Sequence, residues 1–187
     1  LGWRAIFAFL GLGMIAASAA AWRFWPETRV QRVAGLQWSQ LLLPVKCLNF
    51  WLYTLCYAAG MGSFFVFFSI APGLMMGRQG VSQLGFSLLF ATVAIAMVFT
   101  ARFMGRVIPK WGSPSVLRMG MGCLIAGAVL LAITEIWASQ SVLGFISPMW
   151  LVGIGVATAV SVSPNGALRG FDHVAGTVTA VYFCLGF

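Results

Sequence analysis

The feature that most constrains this chain is a series of long stretches that contain almost no charged residue. Each is about as long as the 20 or so apolar residues that an α-helix needs to cross the hydrocarbon core of a bilayer. The stretches are residues 5–22, 47–70, 84–101, 119–137 and 142–162, and a further one that begins near Gly176. Each of them is therefore predicted to be a membrane-spanning helix.

The composition excludes an ordinary soluble protein. Apolar residues make up 61% of the chain and charged residues 7%, with a mean hydropathy of +0.97. Soluble domains average about 25% charged residues. A transmembrane β-barrel is excluded as well, because its strands are about 10 residues long and alternate between apolar and polar side chains. The residues thus predict an all-α integral membrane protein.

The basic residues lie between the apolar stretches. Eleven Lys and Arg stand against three Asp and Glu, a net charge of +8. If the helices alternate in direction, all the basic residues except Arg4 and Arg78 fall on one side of the membrane. An excess of Lys and Arg marks cytoplasmic loops, so segments 23–46, 102–118 and 163–175 are predicted to be cytoplasmic. Because the charge is confined to short loops, no nucleic-acid partner is expected.

No pattern in the chain indicates an enzyme, a metal site or a cofactor. The four cysteines form no CxxC pair and lie within apolar stretches, and His173 has no second histidine near it. Such cysteines usually behave as small buried hydrophobic residues. No acid–base pair or cluster of metal ligands appears. The chain starts at Leu1 and stops inside an apolar run at Phe187, which favours a fragment of a longer membrane protein.

The second apolar stretch carries polar side chains at helical spacing. Asn49, Tyr53 and Tyr57 follow one another at intervals of four residues, so they share one face of a helix. Polar groups that faced lipid would lack hydrogen-bond partners, so this face is expected to turn toward other helices or a water-filled cavity. Such a cavity suits a neutral aromatic molecule that carries hydroxyl or amide groups. Hydrogen bonding between helices, with no ligand, is the alternative.

The basic segment between the third and fourth stretches contains Gly105, Arg106 and Lys110. Glycine allows a tight turn, and basic side chains can cap the C-terminal ends of helices. We therefore expect a short cytoplasmic loop that acts as a gate by holding helix ends in one state and releasing them in another. A positively charged loop without any switching role is the alternative.

Small residues recur at helical spacing in the fourth and fifth stretches. Gly122 and Ala126 form one pair, and Gly153, Ala157 and Ser161 form a longer series. Small residues allow the backbones of membrane helices to approach each other closely. Both series are therefore predicted to lie in contacts between helices.

Several segments resemble drug exporters of the Bcr/CflA branch of the major facilitator superfamily. The segments are Gly2-Trp3-Arg4-Ala5-Ile6-Phe7, Trp25-Pro26-Glu27-Thr28, Gly105-Arg106 with Lys110-Trp111-Gly112, and His173-Val174-Ala175-Gly176-Thr177. The third is similar to the superfamily's G-x-x-x-D-R-x-G-R loop but lacks its aspartate. The order and spacing of these segments extend the resemblance over the whole chain, and within the branch it is closest to the chloramphenicol exporters.

The resemblance implies a major facilitator-type helical bundle, of which this chain supplies about five and a half helices. Residues 1–22 would be the last helix of the N-terminal half, residues 23–46 the central cytoplasmic loop, and residues 47–187 the C-terminal half, truncated in its fifth helix. The implied protein is a multi-pass transporter of the bacterial inner membrane. It would exchange a small hydrophobic, chloramphenicol-like drug for protons by alternating access and so confer antibiotic resistance.

The resemblance also implies that the substrate is bound between the two halves near the middle of the membrane. The expected substrate contacts are Asn49, Tyr53, Tyr57 and Tyr182. Export of another hydrophobic drug or metabolite by the same kind of transporter is one alternative. A channel or a non-transporting membrane scaffold is another, although a channel should show polar residues along several helices and only one stretch shows them here.

Overall fold

The structure, a computed structural model, describes residues 2–25, 42–138 and 141–186. The α-helices in these residues are α1 Trp3–Phe24, α2 Leu48–Pro72, α3 Gln83–Trp111, α4 Ser113–Ala138, α5 Val142–Ala167 and α6 Ala175–Gly186. The chain forms two compact units, Leu1–Leu36 and Gln37–Phe187. The first contains α1, and the second contains α2 to α6. Most of the predicted central loop, including Arg29 and Arg32, lies outside the described residues.

The prediction of an all-α membrane protein is confirmed. Within the described residues, α1 to α5 are long and apolar enough to cross a membrane, and α6 is a shorter apolar helix. A π-helical turn, Gly73–Arg78, continues α2 beyond Pro72. The hydroxyls of Ser82 and Ser141 cap the N-terminal ends of α3 and α5, where they accept hydrogen bonds from the backbone N–H groups three residues later at 3.1 and 3.2 Å.

The prediction that the gating residues lie in a loop is wrong. Gly105, Arg106 and Lys110 lie in the last turns of α3, which runs on to Trp111. Only Gly112, with φ of 77°, separates α3 from α4. Arg and Lys are good helix formers, and their long side chains reach water from a helix that extends past the hydrocarbon. A charged residue therefore ends the membrane span without ending the helix.

The predicted end of the fifth helix is wrong for a related reason. Ser163-Pro164-Asn165-Gly166 lies inside α5, which ends at Ala167. Proline is tolerated in membrane helices because neighbouring groups satisfy the backbone carbonyl that loses its partner. The connection to α6 is correspondingly short. It contains Gly170, with φ of 90°, and a 3-10 turn, Asp172–Val174.

Helix α5 lies at the centre of the second unit, where it packs against α2, α3, α4 and α6. Gly155 lies close to α4, since a Cβ atom there would lie 2.7 Å from the Gly120 carbonyl oxygen. Gly153 faces α3, with side-chain atoms of Val93 and Met97 3.2 Å from the position of its Cβ. The Trp150 indole N–H donates to Thr92 Oγ1 of α3 at 3.0 Å.

The small residues predicted to line the α4 contact do not lie in it. No atom of the described residues approaches within 4 Å of a Cβ placed on Gly122, and Ala126 is exposed. The contact is made instead by Gly120, Leu124 and Gly127. Two residues along an α-helix correspond to a rotation of about 200°, so Gly122 lies nearly opposite Gly120. The predicted contact at Gly122 and Ala126 is therefore not formed with any of the helices that the structure describes.

The buried side chains of the second unit form two clusters. The tyrosine cluster contains Phe50, Tyr53, Tyr57 and Tyr182, packed against residues of α5 such as Val162. The phenylalanine cluster contains Phe67 and Phe145 among its buried members. In it, the Phe67 ring stacks on Phe90 with centroids 5.6 Å apart. The first cluster lies near the start of α2 and the second near its end, so α2 and α5 run through both.

Candidate functional site

The structure brings together three of the four predicted substrate residues. Tyr53, Tyr57 and Tyr182 are all buried in the tyrosine cluster, with Tyr182 completely inaccessible. Asn49 is exposed in the first turn of α2, apart from the buried face. Positions four residues apart are offset by about 40° around a helix. Over the eight residues from Asn49 to Tyr57 the offset doubles, and it carries Asn49 off the packed face.

Aromatic contacts join α2 to α6 in this cluster. The rings of Tyr57 and Tyr182 have centroids 5.0 Å apart at an interplanar angle of 45°. Phe50 meets the Tyr182 ring edge-on at 6.5 Å, and Phe183 meets the Tyr57 ring edge-on at 5.9 Å. Aromatic pairs prefer these tilted and edge-to-face arrangements. The result is a closed aromatic layer between the two helices.

Two glycines make room for the tyrosine rings. A Cβ atom on Gly166 of α5 would overlap the Tyr53 ring, and one on Gly186 of α6 would overlap the Tyr57 ring. Each ring therefore rests directly on the backbone of a neighbouring helix. This close packing explains why both side chains are buried although each carries a polar hydroxyl.

A serine that the sequence did not single out lies beside Tyr182. Ser163 of α5 is completely buried, and its hydroxyl is close enough to the Tyr182 hydroxyl to interact with it. By strict hydrogen-bond geometry, neither Tyr182 Oη nor Ser163 Oγ has a partner among the described residues. Ala159, Ser163 and Gly166 share a helical face, which would have revealed Ser163 had α5 been extended through Pro164.

A separate cavity of about 310 Å³ lies between α2, α4 and α5. Its lining is apolar, with Phe67, Leu124 and Met149 among its residues. The one polar side chain in the lining is Ser63, whose hydroxyl donates to the Ala59 carbonyl at 2.8 Å. The volume falls at the lower end of the range for small-molecule pockets, about 300–1,000 Å³. None of the predicted substrate residues lines this cavity.

Two of the three predicted gating residues lie together. Arg106 and Lys110 are exposed one turn apart on α3. Together with Trp111 of the same helix and Met119 of α4, they line an open depression of about 470 Å³. Gly105 is exposed, and within residues 2–25, 42–138 and 141–186 no atom lies within 4 Å of the position of its Cβ. This end of α3 is therefore a basic surface beside a short turn, and nothing in it is buried.

The opposite end of the second unit carries an ion pair. The Arg78 guanidinium lies 3.8 Å from Glu135 Oε1, and both side chains are more than half exposed. Glu135 lies one turn before the end of α4. An exposed pair of this kind contributes at most about 1 kcal/mol to stability, so it is a surface contact of α2 and α4.

The amino-acid sequence of this chain is similar to those of several bacterial resistance proteins. It is 98% identical over 186 residues to a chloramphenicol resistance protein of Pseudomonas aeruginosa, which covers 100% of this chain and 44% of that protein. It is 80% identical over 139 residues to a chloramphenicol resistance protein of Escherichia coli, covering 74% of this chain and 46% of that protein. Multidrug resistance protein D of Escherichia coli (strain K12) is 27% identical over 183 residues, covering 96% of this chain and 45% of that protein.

The chain spans about half the length of these relatives. No solved structure matches it. The sequence model of the Major Facilitator Superfamily matches residues 1–187, the whole chain. With α1 to α5 long and apolar enough to cross a membrane, the molecule is a multi-pass membrane protein, and the chain belongs to the Major Facilitator Superfamily of transporters.

Proposed function

We propose that this chain forms part of a chloramphenicol efflux transporter that confers antibiotic resistance in the bacterial inner membrane. The observation that carries the proposal is the 98% identity over the whole chain to the chloramphenicol resistance protein of Pseudomonas aeruginosa. The proposed mechanism is exchange of drug for protons by alternating access between two halves of a longer protein. The second unit of this chain belongs to one of those halves.

The tyrosine cluster suits a drug of this kind. Chloramphenicol is a neutral aromatic molecule with hydroxyl and amide groups, and aromatic rings with hydroxyls at their edges can both stack on it and bond to it. The proposed substrate contacts are Asn49, Tyr53, Tyr57 and Tyr182. The proposed gate is the basic end of α3, with Gly105, Arg106 and Lys110, where a rigid helix end replaces the loop expected from the sequence.

Proton coupling requires a group that takes up and releases a proton inside the membrane. The acidic residues that the structure describes, Glu135 and Asp172, are both exposed near helix ends. We therefore assign the proton-binding carboxylate to the part of the longer protein beyond the described residues. This chain would supply drug contacts and a gate.

Drug accumulation in cells tests the transport proposal. The full-length protein that contains this chain, expressed in a sensitive strain, is expected to lower the accumulation of labelled chloramphenicol. A protonophore should restore accumulation to the level of cells without the protein. Low accumulation that persists after the protonophore would contradict proton coupling, and a chemically modified drug in the medium would indicate inactivation in place of export.

A broader substrate range is the second candidate function, because the chain also matches Multidrug resistance protein D over 96% of its length. Competition separates the two candidates. If chloramphenicol is the principal substrate, unrelated hydrophobic drugs in tenfold excess should leave its efflux unchanged. A saturable flux that follows the proton gradient would also exclude a channel or a non-transporting scaffold.

Single cysteines test the proposed orientation. In a cysteine-free form of the full-length protein, Arg78→Cys is expected to react with a membrane-impermeant maleimide on intact cells. Arg106→Cys should react only after the membrane is permeabilised, because the basic end of α3 is assigned to the cytoplasm. Both side chains are exposed, so burial does not explain a difference in labelling. Labelling of Arg106→Cys on intact cells, with Arg78→Cys protected, would contradict the proposed topology.

A further inference from the structure

The hydroxyls of Tyr182 and Ser163 are buried and lack a hydrogen-bond partner among the described residues. Among the described residues, the buried side-chain atoms without a hydrogen-bond partner are Gln79 Oε1, Ser163 Oγ and Tyr182 Oη. The two hydroxyls come from different helices, α6 and α5, and lie next to each other. Both side chains are completely inaccessible. Buried polar groups are nearly always hydrogen-bonded, so a neighbouring pair without partners calls for a physical reason.

Other hydroxyls on α5 form hydrogen bonds with backbone carbonyls of the same helix. Thr158 donates to the Ile154 carbonyl at 2.8 Å, and Ser161 donates to the Ala157 carbonyl at 2.7 Å. Both are satisfied by their own helix, four residues back. Ser163 does not form this kind of bond, and its hydroxyl lies beside that of Tyr182 on α6. The arrangement therefore leaves donor and acceptor capacity on both hydroxyls.

We propose that Ser163 and Tyr182 form the site that recognises an alcohol hydroxyl of the exported drug. This inference rests on the proposed function and deepens it. A hydroxyl is both a donor and an acceptor, so one drug hydroxyl can donate to one of the pair and accept from the other. The rings of Phe50 and Tyr57, which flank Tyr182, provide apolar faces for the aromatic part of the same molecule.

The closed aromatic layer determines when the drug reaches the pair. Tyr57 covers Tyr182 in this structure, so the site becomes accessible when α2 and α6 move apart. The closed form leaves two hydroxyls unsatisfied, which is unfavourable in an apolar surrounding. A drug hydroxyl satisfies them only in the open form. The drug therefore binds the two forms with different free energies, which is the condition for a ligand to shift a conformational equilibrium.

Substrate analogues combined with variants test the site. The full-length protein is assayed in everted vesicles with chloramphenicol and with two analogues, in which fluorine replaces the primary hydroxyl or hydrogen replaces the secondary one. The variants are Ser163→Ala and Tyr182→Phe. Ser161→Ala serves as the matched control, because it removes a hydroxyl two residues away that is already satisfied within α5.

We expect Ser163→Ala and Tyr182→Phe each to raise the KM for chloramphenicol by about five- to tenfold, as the loss of one hydrogen bond predicts. For one of the two analogues, the variants should have no further effect, because the hydroxyl that they recognise is already missing. Ser161→Ala should leave all three KM values unchanged. The melting temperature of Ser163→Ala should be unchanged or higher, since an unsatisfied buried hydroxyl is removed.

Two results would contradict the proposal that Ser163 and Tyr182 recognise a drug hydroxyl. One is an equal rise in KM for all three substrates together with a lower melting temperature, which would make the pair a packing element. The other is no effect on any substrate. If the unmodified full-length protein exports no chloramphenicol, the proposed function itself fails. That outcome is distinguished by the unmodified protein alone, before any variant is compared.

Discussion

Replacement of Gly155 by valine is expected to prevent α4 and α5 from packing. A Cβ atom at this position would lie 2.6 Å from Leu124 Cγ, 2.7 Å from the Gly120 oxygen and 2.9 Å from the Leu124 nitrogen. Two of these three atoms belong to the α4 backbone, so no side-chain rotation relieves the overlap. The two helices would have to separate along the central contact of the second unit. We expect destabilisation of about 3 kcal/mol or more, at the upper end for overpacked cores.

The measurement is the yield and melting temperature of the full-length protein carrying a C-terminal fluorescent tag, followed by size-exclusion chromatography in detergent. Gly155→Val should give little or no monodisperse protein. Gly122→Val is the matched control, because no atom of the part of the chain that the structure describes lies within 4 Å of the position of its Cβ. It should change stability by less than about 0.5 kcal/mol. Equal losses in both variants would mean that valine is harmful anywhere in these helices.

Gly166 and Tyr53 are expected to show strong energetic coupling. An alanine at position 166 would overlap the Tyr53 ring, which is itself buried in the tyrosine cluster. Gly166→Ala should therefore destabilise the protein by about 1–3 kcal/mol. Tyr53→Ala should cost about 3–5 kcal/mol, as for other large aromatic side chains removed from a core. In the double variant the overlap is absent, so its cost should be smaller than the sum.

A double-mutant cycle on thermal unfolding of the full-length protein measures this coupling, which should be about 0.5–3 kcal/mol. Gly62→Ala combined with Tyr53→Ala is the control, since Gly62 lies on α2 with open space at the position of its Cβ. That pair should be additive. If the destabilisations caused by Gly166→Ala and Tyr53→Ala were also additive, the Tyr53 ring would not rest on α5. Tyr53 could then contact the drug without disturbing the fold.

Much of the fold follows from the sequence because each spanning helix depends on a local property. An apolar stretch long enough to cross hydrocarbon must satisfy its backbone internally, and a helix does so within one segment. This reasoning located α1 to α6 and the all-α class. It misplaced the ends of α3 and α5 and also the start of α4, which was predicted at Met119 and lies at Ser113. The reason is that hydropathy reports where the hydrocarbon ends and leaves open where the helix ends.

The candidate site depended much more on tertiary structure. The spacing of Tyr53 and Tyr57 correctly indicated a shared face turned toward other helices. Asn49 has nearly the same spacing, yet the offset of about 40° for every four residues turns it away from the face that buries Phe50 and Tyr53. Ser163 could be recognised only once α5 was seen to continue through Pro164. The partner glycines of the tyrosine rings, Gly166 and Gly186, carry no local signal at all.

The sequence by itself determined that this protein is a set of apolar helices that belong in a membrane, because length and hydropathy are read along a single segment. Only the tertiary structure decided which faces of those helices meet. Helix α4 is apolar on nearly every side, so its sequence pattern leaves the rotation about its axis undetermined. That rotation is set by close approach at residues such as Gly120 and Gly155, which bring the backbones of α4 and α5 together.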